Sequence, residues 1–133
     1  MDALSQIDGW GAAHAAACVL RGGEVIATRG PDDLQLRWAS VTKLPTALAT
    51  LVAAEEGVID LDEPAGPEGS TVRHLLAHAS GLPFEGTEPI AKPEQRRIYS
   101  NTGFEMLAEH VAAAAEMPLM KARKSECCSL NRA

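Results

Sequence analysis

Ser40 and Lys43 stand three residues apart in WASVTKLPTALATLV, where an apolar helical pattern begins. Residues at that separation share one helix face, so a hydroxyl and an amine fall within reach of each other. Such a pair can pass a proton from an attacking oxygen to a nitrogen base. A lysine of ordinary pKa, about 10.4, is protonated at neutral pH, and lowering an amine by about three units requires about 4 kcal/mol. A helix N-terminus supplies about 0.3–1 kcal/mol of that, so burial or a second cation has to supply the rest. A serine at an N-cap followed by a first-turn charge gives the same pattern without chemistry. Taken alone, Ser40 and Lys43 fit both descriptions.

The elements that must position them follow from the patterning. Two short apolar or β-branched runs, AAACVL at 15–20 and EVIATR at 24–29, flank Arg21-Gly22-Gly23 and predict a β-hairpin. A turn at Pro31-Asp32-Asp33 and a short extended piece lead to Trp38. From 41 to 56 the spacing of Leu44, Ala47, Leu48, Leu51 and Val52 predicts a helix with that stripe facing a core, stopped by Gly57. Pro45 conflicts with a helix begun at Ser40, because past the first turn a proline lacks a needed donor and costs about 3 kcal/mol. Either that helix bends, or its regular part starts later. Ser70 or Thr71 caps a predicted second helix, VRHLLAHAS, ending at Gly81. The three prolines of GLPFEGTEPIAKPEQRRIYSN predict a long loop, and an alanine-rich third helix is expected over 103–116.

Composition bounds what this arrangement can serve. A chain of 133 residues, 46% hydrophobic and 23% charged, fits one modest domain. Its net charge of −6 argues against a general nucleic-acid or anionic-membrane surface and leaves small neutral or cationic partners open. Asp2 and the interrupted apolar residues after it do not make a secretory leader, and no run reaches the roughly 18 apolar residues of a membrane span, so a cytoplasmic location is expected. Cys18, Cys127 and Cys128 form neither a disulfide framework nor a zinc-spaced set. After 116 the text changes to MPLMKARKSECCSLNRA, net basic and without an apolar period, so 1–116 are expected to form the domain and 117–133 a disordered tail.

Further along stands Tyr99-Ser100-Asn101. With SVTK at 40–43, YSN at 99–101, and WASVTK, DLDEPA and VRHLLAHASGL in order around them, the sequence resembles the serine β-lactamase and penicillin-binding-protein superfamily, nearest its class C-like and esterase branch. The resemblance covers about 9–116. It implies an α+β fold, the N-terminal portion of a β-lactamase-like (DD-peptidase-type) domain with an antiparallel sheet and helices. It also implies acyl-enzyme chemistry on an ester, a β-lactam or a D-amino-acid amide, with no cofactor and no metal. By the same resemblance Ser40 attacks, Lys43 takes or relays its proton, and Tyr99 shuttles that proton to the leaving group. Asn101 binds the substrate amide or steadies the lysine, and Ser100 contacts substrate.

The departures from that family matter as much. Its members take a second oxyanion donor from a C-terminal strand bearing Lys-Ser/Thr-Gly or His-x-Gly, and neither motif follows Asn101. The chain is therefore expected to be truncated, its tail frameshifted or rearranged, its catalysis impaired and its hairpin edge uncovered, open to self-association. The rival expectation is a non-catalytic fragment that binds another chain through that edge. His74 and His78 have zinc-like spacing, but Leu75 stands where H-E-x-x-H needs glutamate. One of these histidines is expected to pack beneath the active-site helix and the other to be solvated. Ser80-Gly81 is expected as a helix C-cap, Arg96 and Arg97 as a solvated loop pair, and His14 and His110 as surface or core residues with no site role.

Overall fold

The computed structural model describes residues 3–116, which divide into two units between Arg37 and Trp38. The first unit holds a 3₁₀ segment, Ala3–Gly9, and the predicted hairpin, β1 Ala17–Arg21 paired antiparallel with β2 Glu24–Arg29. Gly22 and Gly23 both take positive φ, 59° and 88°, which a two-residue turn needs if its twist is to match that of the strands. A register shift between Val19 and Leu20 marks a bulge. The Arg29 guanidinium grips the Asp8 carboxylate from Nε at 2.8 Å and from a second nitrogen, and its hydrogen bonds hold that carboxyl below the usual range. Among the described residues the sheet has two strands, and Leu20, Val25 and Ile26 are exposed on it.

The second unit carries three helices, α1 Lys43–Glu55, α2 Val72–Leu76 and α3 Asn101–Ala114, with a 3₁₀ turn at Ala39–Thr42 directly before α1. That order resolves the Pro45 conflict. With regular helix beginning at Lys43, Pro45 lies in the first turn, where backbone N–H groups have no intrahelical partner and a missing donor costs little.

The face of α1 that packs is rotated away from the expected one and shares only Ala47 with it. Leu44, Leu48, Leu51 and Val52 are exposed, whereas Thr50 and Ala53 are buried and Ala47 and Ala54 pack on the core. Two stripes in this helix share the same period. The stripe of small residues lets α1 come close to α3, and the hydroxyls on it are satisfied by bonding one turn back, Thr50 to the Thr46 carbonyl and Thr46 to that of Thr42, each at 2.9 Å.

The core of this unit is Val72, Leu75, Leu82 and Leu107, each at most 1% exposed, with Ala53, Ile59, Ala65 and Phe104 around them. Each fully buried aliphatic side chain contributes about 1.5–3 kcal/mol of transfer free energy. The segment between α1 and α2 folds back on α2 through Val72 N–H to Glu63 O (3.2 Å) and Arg73 N–H to Leu61 O (2.8 Å). Thr71 caps α2 as expected, and its partner in the capping box is His74, whose Nδ1 accepts from the Thr71 N–H at 3.1 Å.

Helix α2 is shorter than its sequence pattern suggests. It ends at Leu76 and is closed by His78 in the left-handed region at φ 58°, so Ser80-Gly81 is not its C-cap. Gly81, at φ 86°, instead lets the long 82–100 loop cross close by, and a Cβ there would lie 2.0 Å from the Ala91 carbonyl oxygen. The loop returns through Ile90 N–H to Gly81 O (2.9 Å), Glu94 N–H to Ala79 O (2.9 Å) and Ile98 N–H to His78 O (2.8 Å). The tail expected over 117–133, with Cys127 and Cys128, lies outside the described residues. Among those residues no helix is long and apolar enough to cross a membrane.

Gly81→Ala is expected to lower stability by more than about 2 kcal/mol, about 1–2 kcal/mol of it from the left-handed backbone and the rest from displacing the loop. A denaturant melt that moves by less than half of this would contradict the close crossing.

Candidate active site

Ser40 sits in the 3₁₀ turn and Lys43 is the first residue of α1. In a 3₁₀ turn side chains at i and i+3 eclipse, so the change of helix type aligns the two more closely than an α-helical start would. Ala39, immediately before Ser40, has φ 44°, an uncommon conformation for alanine that costs about 1–2 kcal/mol. Strain of this kind persists where the surroundings over-determine it, which is common at functional sites.

The other two candidates arrive from the start of α3. Lys43 Nζ donates to Asn101 Oδ1 at 2.6 Å and lies 4.8 Å from the centre of the Tyr99 ring. Hydrogen bonding from Lys43, and then from Ser40, holds the Tyr99 phenol below its usual pKa of 10.0. Ser40, Lys43, Tyr99 and Asn101 are thus brought together, with Ser40 and Tyr99 exposed and Lys43 and Asn101 half-buried. A hydroxyl and an amine that both hydrogen-bond to one phenol and lower its pKa can pass a proton through it.

Ser100 is placed differently from its neighbours in the motif. It is 1% exposed, and its Oγ accepts from the Gly103 N–H at 2.9 Å, capping α3. That cap orients the helix whose first residue is Asn101, so Ser100 helps to build the site from beneath.

Three aromatic or imidazole rings that the motif spacing did not single out for the site surround Tyr99 and the lysine. His78 lies 4.6 Å from the Tyr99 ring and 4.9 Å from Phe104. Phe84 stacks on Tyr99 at 6.0 Å between centres, and Lys43 Nζ is 5.9 Å from the Phe104 ring. An aromatic side chain in a proline-rich loop was the one sequence signal available for the part played by Phe84.

The two α2 histidines go separate ways. His78 is buried, and burial first, then Arg97 and Lys43, push its pKa below the usual 6.5. His74 is engaged rather than solvated, with Nε2 3.0 Å from Glu94 Oε1. His110 is paired with Glu63, whose carboxyl that contact holds below its usual range. Among the described residues no group of three or more His, Cys, Asp or Glu side chains converges as a metal site would need. A surface cleft of about 690 Å³ at the far end of α1, lined by Leu51, Val58, Leu61 and Arg73 among others, includes none of the four candidate residues.

Comparison with known proteins gives a consistent picture. The profile of the family described as Beta-lactamase matches residues 7–126. A crystal structure of a β-lactamase from Mycobacterium bovis superposes with a TM-score of 0.78 at 49% identity, over 86% of this chain and 42% of that one. Penicillin-binding protein 4* of Bacillus subtilis is 30% identical over 59% of this chain and 25% of its own length. The acyltransferase calJ of Penicillium decumbens is 36% identical over 46% of this chain and 21% of its own. The chain thus spans a minor part of each relative.

Tyr99 is the single tyrosine, so tyrosinate absorbance follows it alone. Its midpoint is expected below 10.0 in the folded chain and nearer to that value in both Lys43→Ala and Ser40→Ala. An unchanged midpoint in both variants would dissolve the contact between the three side chains.

Proposed function

Because this chain belongs to the β-lactamase family, we propose that it carries the nucleophilic end of a serine hydrolase or acyltransferase site acting on a small ester, amide or β-lactam through an acyl-enzyme. The observation that carries this reading is the cluster itself: Lys43 Nζ bonded to Asn101 Oδ1 at 2.6 Å, and the Tyr99 phenol held acidic by Lys43 and Ser40.

In the proposed reaction Ser40 Oγ attacks the substrate carbonyl carbon while its proton moves to the Lys43–Tyr99 pair. The carbonyl π bond opens to an oxyanion, for which the Ser40 backbone N–H is one donor. When the intermediate collapses, the bond to the leaving oxygen or nitrogen breaks and Tyr99 delivers the proton to it. Water, or another acceptor in a transferase, then takes the acyl group from Ser40. Asn101 keeps the lysine aimed at Tyr99. Ser100 enters as the cap of α3, with no substrate contact assigned.

One domain spanning residues 1–116 remains our reading of the organisation. A second oxyanion donor of the family type, on a Lys-Ser/Thr-Gly or His-x-Gly strand, has no counterpart after Asn101 in this sequence. Loss of one such donor costs about 2.7–4 kcal/mol, or ~10²–10³ in rate. The chain by itself is therefore expected to acylate slowly, and reagents that react irreversibly are the suitable probes.

A fluorescent penicillin and a fluorophosphonate are expected to label the folded chain at Ser40, with labelling lost in Ser40→Ala. Lys43→Arg is expected to fall by about 10²-fold or more, because arginine keeps its proton and its planar fork does not replace a point donor. Labelling that survives Ser40→Ala, or none in a chain shown to fold, would favour a non-catalytic fragment.

A further inference from the structure

His78 occupies an uncommon place for its residue type. It closes α2 in the left-handed conformation at φ 58°, where glycine is the usual choice, yet it is only 6% exposed. A conformation that costs about 1–2 kcal/mol is retained here by a residue whose carbonyl and Nδ1 are both engaged. Its carbonyl accepts from the Ile98 N–H at 2.8 Å, and its Nδ1 accepts from the Ser100 N–H at 3.1 Å. Those two bonds hold the backbone on both sides of Tyr99, and the imidazole ring itself lies 4.6 Å from the Tyr99 ring.

We propose that His78 is a positioning residue for the acyl-transfer site: its neutral imidazole, by accepting from Ser100, holds the Tyr99 phenol against Lys43 and Ser40. The proposal rests on the functional reading above and adds a residue that touches neither substrate nor the reacting atoms.

The protonation state follows from the geometry. A ring nitrogen that accepts a backbone N–H cannot carry a proton, so the neutral tautomer has its hydrogen on Nε2. An imidazolium has no acceptor to offer Ser100, and protonation therefore releases the clamp. The groups packed around the ring oppose that charge. Lys43 approaches from α1, Arg97 from the loop with the Tyr99 phenol beside it, and the uncharged Phe104 ring from α3. Burial, Arg97 and Lys43 all act to keep the folded pKa below 6.5. Because the folded value is depressed, the clamp's contribution is complete above the unfolded pKa. It is lost as pH falls through the folded one.

The test uses the full chain, ¹⁵N-labelled, with two variants. His78→Asn keeps an acceptor oxygen near the position of Nδ1 and tolerates left-handed backbone, whereas His78→Ala has no acceptor. In the wild type the Ser100 amide resonance is expected to move with the His78 imidazole through one midpoint below 6.5. In the alanine variant the Tyr99 midpoint is expected to rise toward 10.0 and penicillin labelling of Ser40 to slow by about tenfold or more. The asparagine variant is expected to keep the low Tyr99 midpoint and to label faster than the alanine variant, and its Ser100 amide should no longer titrate near that pH. A Ser100 amide indifferent to His78, or a Tyr99 midpoint equal in wild type and alanine variant, would overturn the proposal. The amide and phenol readouts need no turnover, so they decide the clamp even if Ser40 never labels, an outcome that would count against the acyl-transfer reading alone.

Discussion

The hydrogen bond from Lys43 Nζ to Asn101 Oδ1 joins residues 58 apart in sequence and ties the first residue of α1 to the first residue of α3. Everything at the site depends on those two helix starts meeting. They meet because α1 presents Ala47, Thr50, Ala53 and Ala54 toward the core, a surface without bulk, while α3 supplies Phe104 and Leu107 to fill it. A buried leucine in place of Thr50 would force the helices apart, and in a close-packed interior a shift of that kind is not absorbed locally. The amine would then lose its carbonyl partner, and the phenol would lose the hydrogen bond that acidifies it.

The same meeting is secured from the other side by the 82–100 loop. A loop of this length between short helices has little regular structure to hold it, and here it is held by a ladder of separate backbone bonds, to Ala79, to Gly81 and to His78. The last of these falls next to Tyr99. Residues 98–101 therefore receive constraints from two directions, the His78 carbonyl and imidazole on one side and the Ser100 cap of α3 on the other. Tyr99 itself is exposed, so its orientation comes less from burial than from its anchored neighbours and from the flanking rings of His78 and Phe84. An exposed phenol held this way stays reachable by a substrate.

Family membership and the extent of the match carry different weight. Agreement at 49% identity and a TM-score of 0.78 establishes the fold of the matched part. The matched part is 42% of that β-lactamase and smaller fractions of the curated relatives, so the match speaks for that part alone. Ser40, Lys43, Tyr99 and Asn101, with the helix starts that place them, all lie in the second unit, which begins at Trp38.

Local signals in the sequence determined a great deal. Gly22-Gly23 between β-branched runs specified the hairpin, Thr71 the start of α2, and the ordered pair SVTK and YSN the four residues that come together. Each is a short-range or motif-level feature that survives without knowledge of the fold. What only the tertiary structure decided is which of two equally periodic stripes on α1 packs inward, because period identifies a helix while the choice of face depends on the shape of what lies opposite. It also decided that α2 stops at Leu76, since a left-handed histidine is tolerated only where a distant amide and two rings receive its side chain. Pro45 belonged to both levels: its chemistry demanded a late helix start, and the 3₁₀ turn at Ala39–Thr42 showed how the chain provides one while keeping Ser40 in line with Lys43.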